Sequence, residues 1–202
     1  MQNYSQNNEQ GIILNYFGDF VGTYLDLGAN DGITLSNTYA LYENGWDGVC
    51  VEASPKAYER LLINQPNSKC IQAAIGAYDG DIVLNESGEL LGNGDTSLVS
   101  STKTEEMKRW ESLNMQFKAI TVRCVTFETL LKKTKISNID FLSIDIEGME
   151  LEVLPQIDFN KLGIKLACIE FNGKGKNEYD GIMLPIGFKV IHQNSENLIY
   201  AK

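Results

Sequence analysis

A short strand-like run, Thr23–Leu27, stops at Gly28, and a second glycine, Gly32, follows four residues later. Glycine adopts backbone angles that are closed to other residues and lets a ligand approach the chain, so a strand that ends this way is typical of nucleotide-binding units. Asp26 and Asp31 add carboxylates at the carboxyl end of the run, where such sites form. The run therefore predicts the first strand of a nucleotide-binding α/β sheet.

A second apolar run, Val49–Val51, ends in Glu52. An acidic residue about 20 residues after the glycine turn is suited to accept both hydroxyls of a ribose. A nicotinamide dehydrogenase is disfavoured, because Gly28 and Gly32 do not complete a G-x-G-x-x-G cradle for a diphosphate. Carboxylates in that place favour a cationic nucleoside such as S-adenosylmethionine. The alternative is an ordinary glycine-rich turn between a strand and a helix.

Length and composition place the chain among globular proteins. Its 202 residues, 43% hydrophobic and 22% charged, fit one domain, and no apolar run approaches the roughly 20 residues of a membrane span. A net charge of −10 disfavours a nucleic acid partner. The cysteines form no C-x-x-C pair and His192 is the only histidine, which argues against a zinc site or a disulfide framework. Without a signal-peptide pattern, we expect a cytoplasmic protein that does not bind membranes.

Helix and strand patterns alternate in the first part of the chain. The predicted order begins with a lead-in helix around Ile12–Phe17 and the strand Thr23–Leu27. A helix capped by Ser36 and closed by Gly45 follows, and then the strand Gly48–Val51. The next helix begins at Ser54 and Pro55 and runs to about Asn64, and the strand Cys70–Ile75 comes after it. Right-handed crossovers make this order half of a doubly wound parallel sheet.

Residues 76 to about 123 interrupt this order. They contain the strand-like pieces Ile82–Leu84 and Ser97–Val99, the glycines Gly88, Gly92 and Gly94, and the charged segment Lys103–Glu111. A connection this long inside a compact domain is usually a lid or a binding loop. We expect one domain, residues 1–202, with an inserted lid or substrate segment.

Regular patterns return after the insertion. They predict a helix from Thr126 to Lys135, the strand Ile139–Ile144, a helix from Met149 to Leu154, the strand Lys165–Phe171, and a terminal hairpin of Gly187–Ile191 and Asn197–Tyr200 around a polar turn, His192 to Glu196. The predicted fold class is α/β, with a doubly wound Rossmann-like sheet that is mostly parallel and ends in an antiparallel hairpin.

Asp145 and Glu147 follow the fourth strand of this sheet. Positions i and i+2 of a strand share a face, so the two carboxylates would point together into the crevice beyond the strand ends. Adjacent carboxylates raise one pKa, which suits a general base, or they bind a divalent metal. The structural alternative is that Asp145 caps the next helix and Glu147 is solvated.

Together these pieces resemble the FkbM-type family of S-adenosylmethionine-dependent methyltransferases. The matching stretches are Tyr4–Asn7 with Glu9, Leu25–Gly32, Leu35–Thr38, Gly45–Glu52, Gly94–Leu98 and Ile144–Glu150. They span nearly the whole chain. The resemblance implies a class I methyltransferase fold with S-adenosylmethionine as the cofactor.

The resemblance also implies which residues hold the cofactor. Asp26, Gly28 and Asn30 would line its methionine end and Glu52 its ribose. The remaining implied positions are Ala53 beside Glu52, Ala73 and Ala74 flanking the adenine, Gln6 folding over the cofactor together with Glu9, and Asp145 facing the methyl group.

The implied reaction is O-methylation of a hydroxyl on a sugar or another natural product, so the expected partner is a small-molecule or glycan acceptor. Asp145 is the candidate base, with Glu147 either raising its pKa or sharing a metal with it, and His192 is the rival base. We favour a base without a metal, because the sequence assures neither a histidine nor a third acidic residue near the pair. The rival function is a module of the same fold that binds the nucleoside and transfers nothing.

Overall fold

The computed structural model describes residues 2–88, 97–110 and 115–202, apart from the Arg109 side chain. Its helices are α1 Glu9–Phe17, α2 Tyr39–Glu43, α3 Pro55–Asn64, α4 Thr104–Trp110, α5 Phe127–Thr134, α6 Glu150–Val153, α7 Phe159–Leu162 and α8 Lys176–Met183. Its strands are β1 Thr23–Leu27, β2 Asp47–Glu52, β3 Lys69–Gln72, β4 Ala74–Ile75, β5 Gly80–Ser87, β6 Phe117–Val125, β7 Phe141–Ile144, β8 Leu166–Glu170, β9 Lys189–Gln193 and β10 Asn197–Ala201. None of the described helices is both long and apolar enough to cross a bilayer.

The main sheet of the described residues has seven strands in the order β3-β2-β1-β7-β8-β10-β9. The first five of these strands pair in parallel, and β10 pairs antiparallel with both β8 and β9. The predicted fold class, a mostly parallel α/β sheet with a terminal antiparallel hairpin, is confirmed. β4, β6 and β5 form a smaller second sheet.

Helices cover both faces of the main sheet because successive side chains of its strands alternate between the faces. On β1, Leu25 and Leu27 pack in a core with residues of α5 to α8. Tyr24 packs in a second core with Ile13 of α1, Leu41 of α2 and residues of α3. This arrangement is the doubly wound fold that the alternation of elements predicts.

Two predicted helix starts are confirmed by their cap bonds. The Ser54 Oγ accepts the backbone N–H of Ala57 at 3.3 Å and opens α3. The Thr126 Oγ1 accepts the N–H of Thr129 at 3.2 Å and opens α5. In both cases a hydroxyl satisfies an N–H group that has no partner within the helix.

Three predicted boundaries are wrong. The helix expected from Ser36 begins at Tyr39, because the Ser36 Oγ accepts the N–H groups of Thr38 and Tyr39 in a turn before the helix. The strand Cys70–Ile75 divides at Ala73, since β3 joins the main sheet and β4 pairs with β6. His192 lies within β9 and not in the hairpin turn.

The described part of the insertion contains more regular structure than its sequence suggested. The piece Ile82–Leu84 lies within β5, as predicted. The piece Ser97–Val99 is a turn, with Ser97 in the left-handed region at φ 55°. β6 and α4 were missed, and Gly92 and Gly94 lie outside the described residues.

Gly28 joins the carboxyl ends of three strands. Its N–H and that of Ala29 donate to the Val51 carbonyl at 2.9 and 3.0 Å, while the Asp145 N–H donates to the Leu27 carbonyl at 2.9 Å. The φ of Gly28 is +88°, and a Cβ placed on it would lie 1.6 Å from the Asp145 carbonyl oxygen. The close approach that the sequence predicted for a ligand is made here by the backbone after β7.

We expect Gly28→Ala to lower the free energy of unfolding by more than about 3 kcal/mol, because it combines an unfavourable φ with a backbone collision. Gly45→Ala is the matched control: Gly45 has φ +81°, but an added Cβ meets nothing within 4 Å. It should lose only about 1–2 kcal/mol. Urea unfolding measures the free energy of unfolding of both variants. Equal decreases in this free energy would show that the close contact between residue 28 and the Asp145 carbonyl adds no cost of its own.

Candidate functional site

A cavity of about 270 Å³ opens at the carboxyl ends of β1, β2, β7 and β8. Sequence reasoning singled out many of the residues that line it. These are Gln6, Asp26, Gly28, Asn30, Glu52, Ala53, Ala73, Ala74, Asp145 and Glu147. The cofactor and acceptor positions predicted separately along the chain thus share one space.

His192 lies elsewhere. It is on β9, the outermost strand of the main sheet, in register with Ile199 of β10. It is not among the described residues that line the cavity. A direct role for its imidazole in the cavity therefore has no geometric support, and its role as a base stays a prediction.

Asp26 is buried at the end of β1, where its Oδ2 accepts the Thr38 hydroxyl at 2.6 Å. Burial raises the pKa of Asp26 to about 6, because the bond from Thr38 only partly offsets the desolvation and the charge of Asp145 adds to it. A cation beside this carboxylate would favour its ionised form. Asp26 is thus suited to the positively charged methionine end of the cofactor.

Glu52 connects the glycine turn to the end of β2. Its Oε2 accepts the Asn30 N–H at 2.8 Å, and its Oε1 accepts the Ser54 N–H at 2.7 Å. Burial raises the pKa of Glu52 to about 7 despite these bonds. Ala53 also donates its N–H to this carboxylate. A carboxylate offers about four lone-pair sites, so acceptor capacity remains for a ribose hydroxyl.

Asp31 helps to build the turn instead of lining the cavity. Its Oδ1 accepts the N–H groups of Ile33 at 2.9 Å and Thr34 at 2.7 Å. Asn30 has a left-handed φ of 48°, and its Oδ1 accepts the Asp31 N–H. These short side-chain bonds hold the residues after Gly28 in one conformation.

The amino-terminal segment closes one side of the cavity through Gln6. Ser5 forms a parallel bridge with Leu35. Glu9 is fully buried, and its Oε1 accepts the amides of Asn194 and Asn197 at 2.6 and 2.9 Å. Glu9 therefore fixes this segment to the terminal hairpin and does not itself line the cavity.

Asp145 and Glu147 meet through a turn and not through strand alternation. β7 ends at Ile144, and Glu147 and Gly148 follow with φ values of 52° and 102°. The turn wraps around the Glu150 carboxylate, which accepts the N–H of Ile146 at 2.9 Å and that of Gly148 at 3.0 Å. Glu150 thus stabilises the turn before α6, and the N-cap of α6 is Met149 and not Asp145.

Sequence reasoning missed other lining residues, above all Glu170, the last residue of β8. Burial raises the pKa of Glu170 well above its ordinary value, and the charges of Asp145, Glu147 and Glu150 raise it further. The sequence does place Glu170 at the end of a predicted parallel strand, and that position could have identified it as a site residue. The insertion adds Leu84, Ser97–Ser100, Thr102 and Trp110 to the wall.

Comparison with known protein families identifies the family to which this chain belongs. The model of the methyltransferase FkbM domain matches residues 26–187. This chain belongs to the FkbM methyltransferase family. The predicted family is confirmed, and S-adenosylmethionine is the cofactor. The buried carboxylates Asp26 and Glu52 fit it, since its methionine end is cationic and its ribose offers two hydroxyl donors.

Solved structures show the same fold at low identity. Methyltransferase FkbM from Methylobacillus flagellatus KT is 10% identical, with a TM-score of 0.54, and the match covers 91% of this chain and 44% of that chain. Ribosomal protein L11 methylase from Lactobacillus delbrueckii subsp. bulgaricus is 11% identical, with a TM-score of 0.52 and coverage of 99% and 80%. This FkbM-family chain thus spans less than half of the first protein. No curated protein sequence matches it.

We expect Glu52→Ala to weaken S-adenosylmethionine binding by tens-fold, because it removes a charged acceptor of two ribose hydroxyls worth about 2–3 kcal/mol. Ser54→Ala is the control for lost stability, since it removes the α3 cap but no side chain that lines the cavity. Titration calorimetry on both folded variants measures the affinity. Unchanged affinity in Glu52→Ala would mean that Glu52 does not hold the ribose.

Cofactor binding should also depend on pH. Because the folded-state pKa values of Asp26 and Glu52 are raised to about 6 and 7, both carboxyls are largely protonated at pH 5.5. Ionisation should strengthen binding roughly tenfold or more between pH 5.5 and 7.5, with proton release. The same raised pKa values make the stability of the ligand-free protein fall as pH rises from about 4.5 to 7.

Calorimetry in buffers of different ionisation enthalpy measures both the affinity and the released protons. Asp26→Asn should flatten the lower part of the pH profile, since its amide does not titrate. Equal affinity at pH 5.5 and 7.5 without proton release would show that neither carboxylate must ionise for binding.

Proposed function

We propose that this methyltransferase transfers a methyl group to a hydroxyl oxygen of a sugar or another small natural product. The observation that carries the proposal is the grouping of Asp145, Glu147 and Glu170 in the same cavity as Asp26 and Glu52. A hydroxyl must lose its proton as it attacks, and this carboxylate group offers a base beside the cofactor-binding residues.

The side chains around the carboxylates support a hydroxylated acceptor. Hydroxyl and amide groups of Asn37, Ser97, Ser100, Thr102 and Asn172 line the cavity. Such groups both donate and accept hydrogen bonds, as the hydroxyls of a sugar do. The net charge of −10 disfavours a polyanionic nucleic acid as the acceptor. A cytoplasmic enzyme is also our proposal, and its four free thiols suit a reducing compartment.

In this mechanism the bound cofactor supplies a methyl group on a positively charged sulfur. Asp26 and Glu52 would hold the cofactor, and Asp145 would receive the acceptor proton. When bound, the cofactor would supply its methyl group to the acceptor oxygen and would leave as the neutral thioether. Glu147 lies in the same cavity as Asp145, and Trp110 and Met149 add apolar wall that excludes water. Alignment of oxygen, carbon and sulfur supplies much of the acceleration.

We expect Asp145→Asn to lower turnover by roughly 10²–10⁴ and to leave cofactor affinity within a few-fold, because the amide keeps the shape but accepts no proton. Glu147→Gln should lower turnover less. Asp47→Asn is the matched control, since Asp47 is exposed at the opposite end of β2. Formation of S-adenosylhomocysteine with a hydroxylated acceptor found by metabolite screening is the measurement.

Two outcomes would contradict this assignment. Full activity in Asp145→Asn, together with loss of activity in His192→Gln, would move the base to His192. Tight cofactor binding without transfer to any acceptor in the screen would favour the rival function, a binding module of the same fold.

A further inference from the structure

Three carboxylates converge where β7, α6 and β8 meet. Asp145 follows β7, Glu150 begins α6 and Glu170 ends β8. One oxygen from each carboxylate lies within 4.8 Å of the other two. Oxygens on opposite sides of a bound ion are about 4.2 Å apart for Mg²⁺ and about 4.8 Å apart for Ca²⁺, twice the metal–oxygen distance. The three oxygens are therefore spaced like ligands around one ion.

Glu170 gives independent support for a ligand at this cluster. Its side chain is 8% exposed and lines the cavity. The carboxyl lies within hydrogen-bonding reach of Asp145, yet its Oε2 is buried and has no hydrogen-bond partner in the described part of the protein. A buried oxygen without a partner is costly and calls for an explanation. A cation bonded to Oε2 would satisfy it.

The cluster also lacks compensating charge at two of its members. Within residues 2–88, 97–110 and 115–202, neither Glu150 nor Glu170 forms an ion pair with a lysine or arginine. The N–H groups of Ile146 and Gly148 fix the Glu150 carboxylate in place. Buried charges in proteins are normally paired or coordinate metals, so a divalent cation would complete this group.

We infer that Asp145, Glu150 and Glu170 together bind one divalent cation of the oxygen-seeking class, Mg²⁺, Mn²⁺ or Ca²⁺. Three carboxylates without histidine or cysteine favour these ions over zinc or copper. Three protein ligands leave coordination positions for water or an acceptor oxygen. Glu150 also lines a second cleft of about 260 Å³.

This inference revises the sequence-based expectation of a metal-free site. That expectation depended on the absence of an assured third acidic residue beside Asp145 and Glu147. The structure supplies two further acidic residues, because the fold brings Glu150 from α6 and Glu170 from β8 close to Asp145. Glu147 is not one of the three ligands.

The role of the ion in the reaction rests on the proposed O-methylation, but its binding does not. An ion held here would bind the acceptor hydroxyl and lower its pKa. Asp145 would bond to the ion through one carboxylate oxygen and receive the hydroxyl proton on the other. The ion would thus supply the charge stabilisation and Asp145 the base.

The test is a titration of protein stripped with EDTA and then freed of chelator. We expect calorimetry with Mn²⁺ to show one saturable site, for which Mg²⁺ competes. Glu170→Gln should weaken Mn²⁺ binding more than about tenfold, since loss of even an outer-shell partner costs that much. Glu178→Gln is the matched control, because Glu178 lies at the second cleft but is not a ligand. It should bind Mn²⁺ nearly as the wild type does.

Two results would overturn the inference. One is the absence of saturable Mn²⁺ binding in the folded wild type. The other is equal weakening by Glu170→Gln and Glu178→Gln, which would indicate diffuse charge attraction. Circular dichroism and thermal unfolding check that the variants fold, and Asp145→Asn gives a second reading of the same loss. The titration needs no acceptor, so a failure of the proposed O-methylation would leave its result intact.

Discussion

The backbone contact between Gly28 and Asp145 determines how the rest of the site is arranged. It is possible only because residue 28 has no Cβ and accepts a φ of +88°. The hydrogen bond from the Asp145 N–H to the Leu27 carbonyl then fixes the end of β7 beside the end of β1. Every carboxylate of the cavity is placed relative to this junction. Asp26 precedes it on β1, Glu52 lies on β2 next to it, and Glu170 lies on β8 beyond β7.

The junction gathers acids where burial opposes their ionisation. The pKa values of Glu52 and Glu150 are raised to about 7 and that of Asp26 to about 6, with burial the largest cause in each case. Ligand-free, the site therefore costs stability near neutral pH, because its acids ionise more readily in the unfolded chain. Cationic ligands reverse this cost, whether as the cofactor near Asp26 or as a metal ion near Glu170.

The sequence predicted the main sheet well because its signals are local. The apolar run before Gly28, the acid Glu52 and the caps Ser54 and Thr126 each act within a few residues, so they can be read without the fold. The metal ligands could not be read this way. Glu150 and Glu170 lie on separate elements, and only the parallel pairing of β7 with β8 brings them together. The sequence also could not show that the predicted strand Cys70–Ile75 divides between two sheets, since Ala74 pairs with Cys124, about a quarter of the chain away.

The described part of the insertion forms one wall of the cavity, and its role as a lid or substrate segment stays a prediction. β5 and β6 pair without interruption from Gly80 with Cys124 to Ser87 with Phe117. The Ser101 hydroxyl donates to the Glu147 carbonyl at 2.7 Å, which ties this wall to the turn that carries the proposed base. The insertion and the turn that carries the proposed base are therefore directly bonded to each other. This bond adds to the two N–H bonds that the Glu150 carboxylate accepts in the same turn, so the wall and Glu150 hold the left-handed residues Glu147 and Gly148 from two sides.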